Sequence, residues 1–173
     1  MKMKKILIAL SLTFIFFSGI QAQKFALVDI EYILKNVPSY ESATEQLDQS
    51  SKKWQKEIEA INTEAQTMYK NYQTELVFLS DDMKVKREEA IVAKEKEALE
   101  LKKKYFGNDG ELYKKRESLI KPIQDEIYNA IKEISESKNY QLILDRASGT
   151  SIIFASPSID ISDEVLQKMG YSK

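Results

Sequence analysis

The fold is decided by residues 40–79, which read YESATEQLDQSSKKWQKEIEAINTEAQTMYKNYQTELVFL. The apolar residues of this stretch recur at steps of three, four and seven. They are Leu47, Trp54, Ile58, Ile61, Ala65, Met68, Tyr72 and Leu79. A mean period of 3.5 residues is the pattern with which one helix presents a continuous apolar seam to another. The stretch therefore predicts a long helix that packs against a second helix.

A second helix is predicted after a break at residues 79–82. Ser80 can cap a new helix, and Asp81 and Asp82 suit the positive end of its dipole. A second apolar series then follows at intervals of seven residues, comprising Ile91, Ala98, Tyr105, Leu112 and Leu119. The two series predict an antiparallel helical hairpin over residues 40–134, with arms of about 60 Å.

The returning arm contains two interruptions. Residues 107–110, GNDG, predict a kink, a bulge or a short loop, because each glycine costs about 0.8–1 kcal/mol inside a helix. Pro122 should bend the later part of this arm by removing one backbone hydrogen bond. At the start of the hairpin we expect Ser39 to cap the long helix, or Ser42 with Glu45 as its partner.

The two ends of the chain have the pattern of short strands. Residues 24–29, KFALVD, and 139–145, NYQLILD, each predict a strand, and residues 150–155 predict a hairpin partner for the second. Residues 30–35 predict a short helix, and Ser162 is expected to cap another. The fold class is therefore α+β and mainly helical. A small β body, residues 23–39 and 135–173, carries the hairpin.

Three short strands enclose little core, and their open edges favour pairing with other chains. A symmetric oligomer would close those edges. The candidate residues for this contact are the apolar ones of the strands, namely Phe25, Leu27, Leu142, Leu144, Ile152 and Ile153.

Residues 1–22 have the three-part layout of a secretory signal peptide. Lys2, Lys4 and Lys5 precede an apolar stretch over residues 6–17, and small residues before Gln23 provide a cleavage site. We expect this segment to be cleaved, with an uncleaved anchor as the alternative.

Composition excludes several kinds of site. The chain contains no Cys and no His, so it lacks disulfides, the usual general base and most transition-metal ligands. No catalytic residue, metal site or cofactor is predicted. Without the three signal lysines, 23 basic residues face 27 acidic ones, a net charge of −4 that argues against a nucleic-acid partner.

The predicted tip contains four consecutive apolar residues, Leu76, Val77, Phe78 and Leu79. They point in successive directions around a helix, so one partner helix cannot cover them all. We interpret them, with Tyr69, Tyr105 and Phe106 on the arms, as candidate contacts to a bound protein. The alternative is that they only pack the hairpin turn.

Several segments together resemble the Skp/OmpH family of periplasmic chaperones. They are FALVD at 25–29, IKPIQDEI at 120–127, YQLILD at 140–145 and DISDEVL at 160–166, in this order around a charged hairpin. The resemblance implies a jellyfish-like homotrimer whose three arms enclose a cavity. It also implies binding of unfolded outer-membrane proteins in the periplasm without ATP. Family members can be strongly basic whereas this chain is mildly acidic, so contact with membrane surfaces stays open.

The leading hypothesis is thus a holdase, which is a binding protein and not an enzyme. The alternative is a structural coiled-coil scaffold or adaptor of the cell envelope that docks one defined partner. Suppression of the aggregation of unrelated unfolded proteins separates the two.

Overall fold

The computed structural model describes residues 23–149 and 152–171, so the predicted signal peptide lies outside the description. Seven elements of regular structure follow one another in the described chain. They are β1 (Lys24–Val28), α1 (Ile30–Lys35), α2 (Pro38–Glu75), α3 (Asp81–Phe106), α4 (Glu111–Lys138), β2 (Tyr140–Asp145) and α5 (Ser162–Lys168). Short 3-10 turns occupy Leu76–Phe78 and Pro157–Ile159. The predicted α+β class, mainly helical, is confirmed.

The helical hairpin is formed by α2 on one side and by α3 followed by α4 on the other. The predicted seam residues of α2, from Leu47 to Tyr72, are buried or half-buried, while most positions between them are exposed. At 1.5 Å per residue, the 38 residues of α2 span about 57 Å. At the tip, the Ser80 hydroxyl accepts a hydrogen bond from the Met83 N–H and caps α3 as predicted.

The returning arm is divided at residues 107–110, where the sequence predicted an interruption. A Cβ atom on Gly107 would lie 2.4 Å from the carbonyl oxygen of Lys103, and one on Gly110 would lie 2.8 Å from that of Tyr105. Only glycine fits these two positions without a shift of the backbone. Beyond them, α4 runs continuously through Pro122.

The body is built around β1, which pairs in parallel with β2. On the other edge of β1, Leu27 forms an isolated bridge with Asp160 and accepts a hydrogen bond from the Ile161 N–H at 2.9 Å. A single apolar core joins β1, α1, the base of α2, the second half of α4 and α5. Its buried members are Ala26, Val28, Ile33, Val37, Ala43, Ile123, Ile127, Ala130, Ile134, Ile161, Val165 and Leu166.

A polar network, here called the clasp, ties the two ends of the chain together through Asp29, Arg146, Asp160 and Ser162. The Asp29 carboxylate accepts hydrogen bonds from the Tyr32 N–H at 2.8 Å and from Arg146 Nε at 3.1 Å. Arg146 also pairs with Asp160 at 3.0 Å. The Ser162 hydroxyl accepts from the Asp29 N–H and donates to Asp160. The bond from Tyr32, followed by the charge and hydrogen bond of Arg146, holds the pKa of Asp29 below its ordinary value despite partial burial.

The predicted hairpin partner of β2 is wrong for residues 152–155, which form no regular structure; residues 150 and 151 lie outside the description. The physical reason is the path of the chain. After β2, on one edge of β1, the chain must reach the opposite edge by Asp160, so it does not continue alongside β2.

Two cap predictions are also wrong. Helix α2 begins at Pro38 after Val37, without a side-chain cap, because proline has no N–H to satisfy and its fixed φ suits the first helical position. Ser162 is the first residue of α5 and not its cap, since its hydroxyl belongs to the clasp.

Candidate functional site

The candidate site is the surface of the hairpin arm, from the tip to the interruption at residues 107–110. At the tip, the side chains of Val77 and Phe78 are 82% and 84% exposed, whereas Leu76 and Leu79 are half-buried. The Leu76–Phe78 turn gives successive residues different directions, so α3 covers only part of this cluster. The tip therefore presents an exposed apolar pair to its surroundings.

An aromatic cluster of Trp54, Tyr105 and Phe106 lies where the returning arm is interrupted. The Trp54 and Tyr105 rings stack with centroids 4.8 Å apart, and Phe106 meets Trp54 edge-on at 6.4 Å. The Tyr105 hydroxyl donates to the Glu57 carboxylate, with oxygen distances of 3.0 and 3.1 Å. Burial, and then this hydrogen bond, raise the pKa of Tyr105. Tyr105 is thus enclosed in the arm, and only Phe106 of the two sequence candidates reaches the surface in part.

The two tyrosines near the tip differ in the same way. The Tyr69 side chain is exposed, as expected of a contact residue. Tyr72 is buried in the seam, and its hydroxyl donates to the Glu88 carboxylate, which raises the pKa of Tyr72.

The exposed apolar side chains of α3 that sequence reasoning missed include Val85, Val92 and Leu99. With Phe106 they form what we call the apolar stripe, at intervals of seven residues. A groove of about 560 Å³ lies beside Phe106, between α2 and α3, with Ile58 and several amide side chains in its wall. The signal that could have revealed the stripe is a second apolar series placed one residue after Ile91, Ala98 and Tyr105.

The candidate contact residues of the body lie on or near the sheet. Leu27 is buried, while Phe25 and Leu142 are exposed and face each other in the β1–β2 register. Leu144 and Ile152 are half-buried, and Ile153 is fully exposed. Within the described ranges, β2 pairs only with β1, so its second edge has no strand beside it.

Two other kinds of site are not found in the part of the chain that the structure describes. No cluster of three or more acidic side chains there is placed to hold a metal ion. No helix in the same ranges has the length and apolar character needed to cross a membrane.

Comparison with known proteins gives the family. A family model described as "Outer membrane protein (OmpH-like)" matches residues 24–169, which include the whole hairpin and nearly all of the body. The chain belongs to this OmpH-like family. The resemblance drawn from the sequence is confirmed.

Two similar proteins show how far the similarity extends. The chain is 26% identical over 154 residues to "Chaperone protein Skp" of Yersinia enterocolitica, covering 88% of this chain and 89% of that protein. A crystal structure of a putative outer membrane chaperone (OmpH-like) from Caulobacter crescentus CB15 has a similar fold. Its TM-score is 0.68 at 13% identity, over 87% of this chain and 86% of that one.

Proposed function

We propose that the protein is an ATP-independent holdase that binds unfolded outer-membrane proteins in the periplasm and prevents their aggregation. Membership of the OmpH-like family carries this proposal. The arm supports it, because a surface about 57 Å long with separated apolar side chains can hold a chain through many weak contacts. Such contacts prevent aggregation and still allow release. We propose no enzymatic activity.

The body is proposed to assemble as a homotrimer from residues 23–39 and 135–173, with residues 40–134 as the arm. The exposed edge of β2 and the exposed Phe25, Leu142 and Ile153 support an assembly between chains. Light scattering of the mature chain should give three times the monomer mass. The substitutions Leu144→Asp or Ile153→Asp should shift the protein toward monomer and lower its stability together. A monomer at tens of micromolar would contradict the trimer.

The holdase is tested by diluting a urea-unfolded outer-membrane β-barrel protein into buffer without ATP. An excess of the parent protein should suppress light scattering by the aggregating barrel. If barrel proteins of unrelated sequence aggregate as fast with the protein as without it, the holdase proposal is wrong.

The contribution of the tip is tested in the same assay. A Val77→Ser/Phe78→Ser variant should keep the parent's oligomeric state but suppress aggregation less well, because the exposed apolar pair is lost. A Tyr128→Ser variant, which removes an exposed aromatic residue of α4 instead, is the control. Equal suppression by parent and tip variant would make the tip structural.

A second candidate function, favoured by the exposed tip, is a scaffold of the envelope that docks one partner through Val77 and Phe78. A scaffold should bind that partner and protect no unrelated barrel protein, so the aggregation assay separates the two functions.

A further inference from the structure

We propose that the apolar stripe of α3, Val85, Val92, Leu99 and Phe106, is the surface along which an unfolded client lies in extended conformation. This inference rests on the proposed holdase function and assigns it a place on the arm. All four residues lie on one helix, and Val85, Val92 and Leu99 are exposed while Phe106 is half-buried.

The seam between α2 and α3 has two sides, here called its flanks, and the two flanks differ in their polar contacts. On one flank, Lys94 pairs with Glu64 at 3.0 Å and Tyr105 donates to Glu57. Glu57 and Glu64 each precede a seam residue of α2 by one position. The stripe residues instead follow the α3 seam residues by one, and in an antiparallel helix pair this places them on the opposite flank. Apart from the bond between Tyr72 and Glu88 near the tip, these polar contacts between the arms occupy one flank and leave the stripe's flank open.

The polar side chains on the stripe's flank can also form hydrogen bonds with a peptide backbone. The groove beside Phe106 is lined by Gln55, Asn62 and Gln66 from α2. Amide side chains both donate and accept hydrogen bonds, as peptide groups do. The volume of the groove, about 560 Å³, is within the range of sites that hold a bound organic group. An apolar client side chain can enter beside Phe106 while its backbone meets the amides.

The length of the stripe fits a short extended segment. From Val85 to Phe106 the helix rises about 31 Å, which an extended chain covers in roughly nine residues. Successive stripe residues stand about 10 Å apart along the helix, so an extended client meets them at intervals of roughly three residues.

The charged residues beside the stripe indicate which kind of molecule binds there. The charged residues of α3 that lie three or four positions from a stripe residue are five acidic and three basic ones, Asp81, Asp82, Glu88, Glu89 and Glu95 against Lys96, Lys102 and Lys103, and α2 adds Glu59 at the groove. This flank is therefore net acidic, which repels lipid or nucleic-acid phosphates and the same flank of a second copy. It favours an unfolded polypeptide in which apolar residues stand beside Lys or Arg.

The chain has no cysteine, so a single reactive position can be introduced. We would attach a benzophenone maleimide to Leu99→Cys and, as a matched control, to Ala93→Cys, an exposed position of α3 away from the stripe. Each labelled protein is mixed with a urea-unfolded outer-membrane β-barrel protein on dilution and irradiated. Cross-linking to the client should be several-fold higher from Leu99→Cys. Equal yields, or cross-links from Leu99→Cys mainly to another copy of the chain, would overturn the proposal.

A second measurement uses the aggregation assay. Val92→Ser/Leu99→Ser should raise the concentration needed for half-suppression by roughly fivefold, an effect that the loss of two partly buried apolar contacts can supply. A Tyr113→Ser/Tyr128→Ser control on α4 should leave it unchanged, and circular dichroism checks that both variants fold. If the parent suppresses aggregation and the stripe variant does so equally well, the stripe is excluded and the holdase stands.

Vesicles of phosphatidylglycerol should bind neither parent nor variant; binding that depends on Leu99 would overturn the polypeptide assignment.

Discussion

Trp54 and Tyr105 lie near the middle of the arm, where their stacked rings join α2 to the last turn of α3. Trp54→Ala should lower the free energy of unfolding by about 2–4 kcal/mol, somewhat less than for a fully buried ring because Trp54 is half-buried. Urea unfolding followed by circular dichroism measures this. Trp54→Phe keeps an aromatic ring for stacking and should cost clearly less. Unfolding of the alanine variant at the parent's urea concentration would show that the stack does not stabilise the arm.

The stability that the clasp contributes depends on pH through the Asp29 carboxylate. Its pKa is lower in the folded protein than its ordinary value of 3.8, chiefly through the Tyr32 N–H and then through Arg146. The folded state thus favours the ionised carboxylate. The contribution of Asp29 is fully present above pH 3.8 and is lost as the pH falls through the lowered pKa.

The urea midpoint of the parent should therefore fall on acidification below about pH 4. Asp29→Asn should be less stable at neutral pH and lose less stability on acidification. Asp48→Asn, which removes an exposed pair with Lys52, is the control. Parallel pH profiles for the parent and Asp29→Asn would remove Asp29 from the acid response.

At the scale of the elements, the junction between α3 and α4 depends on glycine. Gly110→Ala should destabilise the protein by about 1–3 kcal/mol, because the new Cβ atom would stand too close to the Tyr105 and Lys104 carbonyl oxygens. Asn108→Ala, at an exposed position of the same turn, should change stability by less than about 0.5 kcal/mol. Thermal unfolding compares the two. Equal melting temperatures for both variants would show that the backbone accommodates a side chain at residue 110.

Sequence reasoning succeeded where structure depends on local spacing. The seam from Leu47 to Tyr72, the turn at Ser80 and the interruption at Gly107 all follow from residues close together in the chain. Sequence reasoning failed where the partner is remote. Nothing near residues 152–155 indicates that the chain must cross to the far edge of β1, and Ser162 resembles a helix cap until Asp29 is placed beside it.

Some features of the candidate site could likewise be predicted from local sequence, and others could not. Partial exposure of the tip followed from four adjacent apolar residues, and the Leu76–Phe78 turn decides that Val77 and Phe78 are the exposed pair. Tyr105 and Phe106 are neighbours in sequence, yet only the position of Trp54 decides which of them is enclosed. Val92 and Leu99 were missed because an apolar residue beside a seam is indistinguishable by type from one within it.

For the whole molecule, the distribution of buried residues predicts an order of local opening. The body contains the largest buried core, shared by five elements, whereas most of the arm is only two helices thick. Amides of α3 should therefore exchange with solvent before those of β1 and of the second half of α4. Hydrogen exchange followed by mass spectrometry tests this order. Greater protection in α3 than in β1 would contradict it.

The parallel pairing of β1 with β2 has a consequence for how the chain folds. Val28 pairs with Asp145, so β1 is synthesised early but cannot pair until β2 has been synthesised near the end of the chain. The hairpin, in contrast, forms from neighbouring segments, and its closure brings the two strands to the same place at a smaller loss of chain entropy. Substitutions that weaken the seam should then slow the completion of the body as well. A chain that stops before residue 140 leaves Phe25 and Leu27 without their partner strand, however well its hairpin forms.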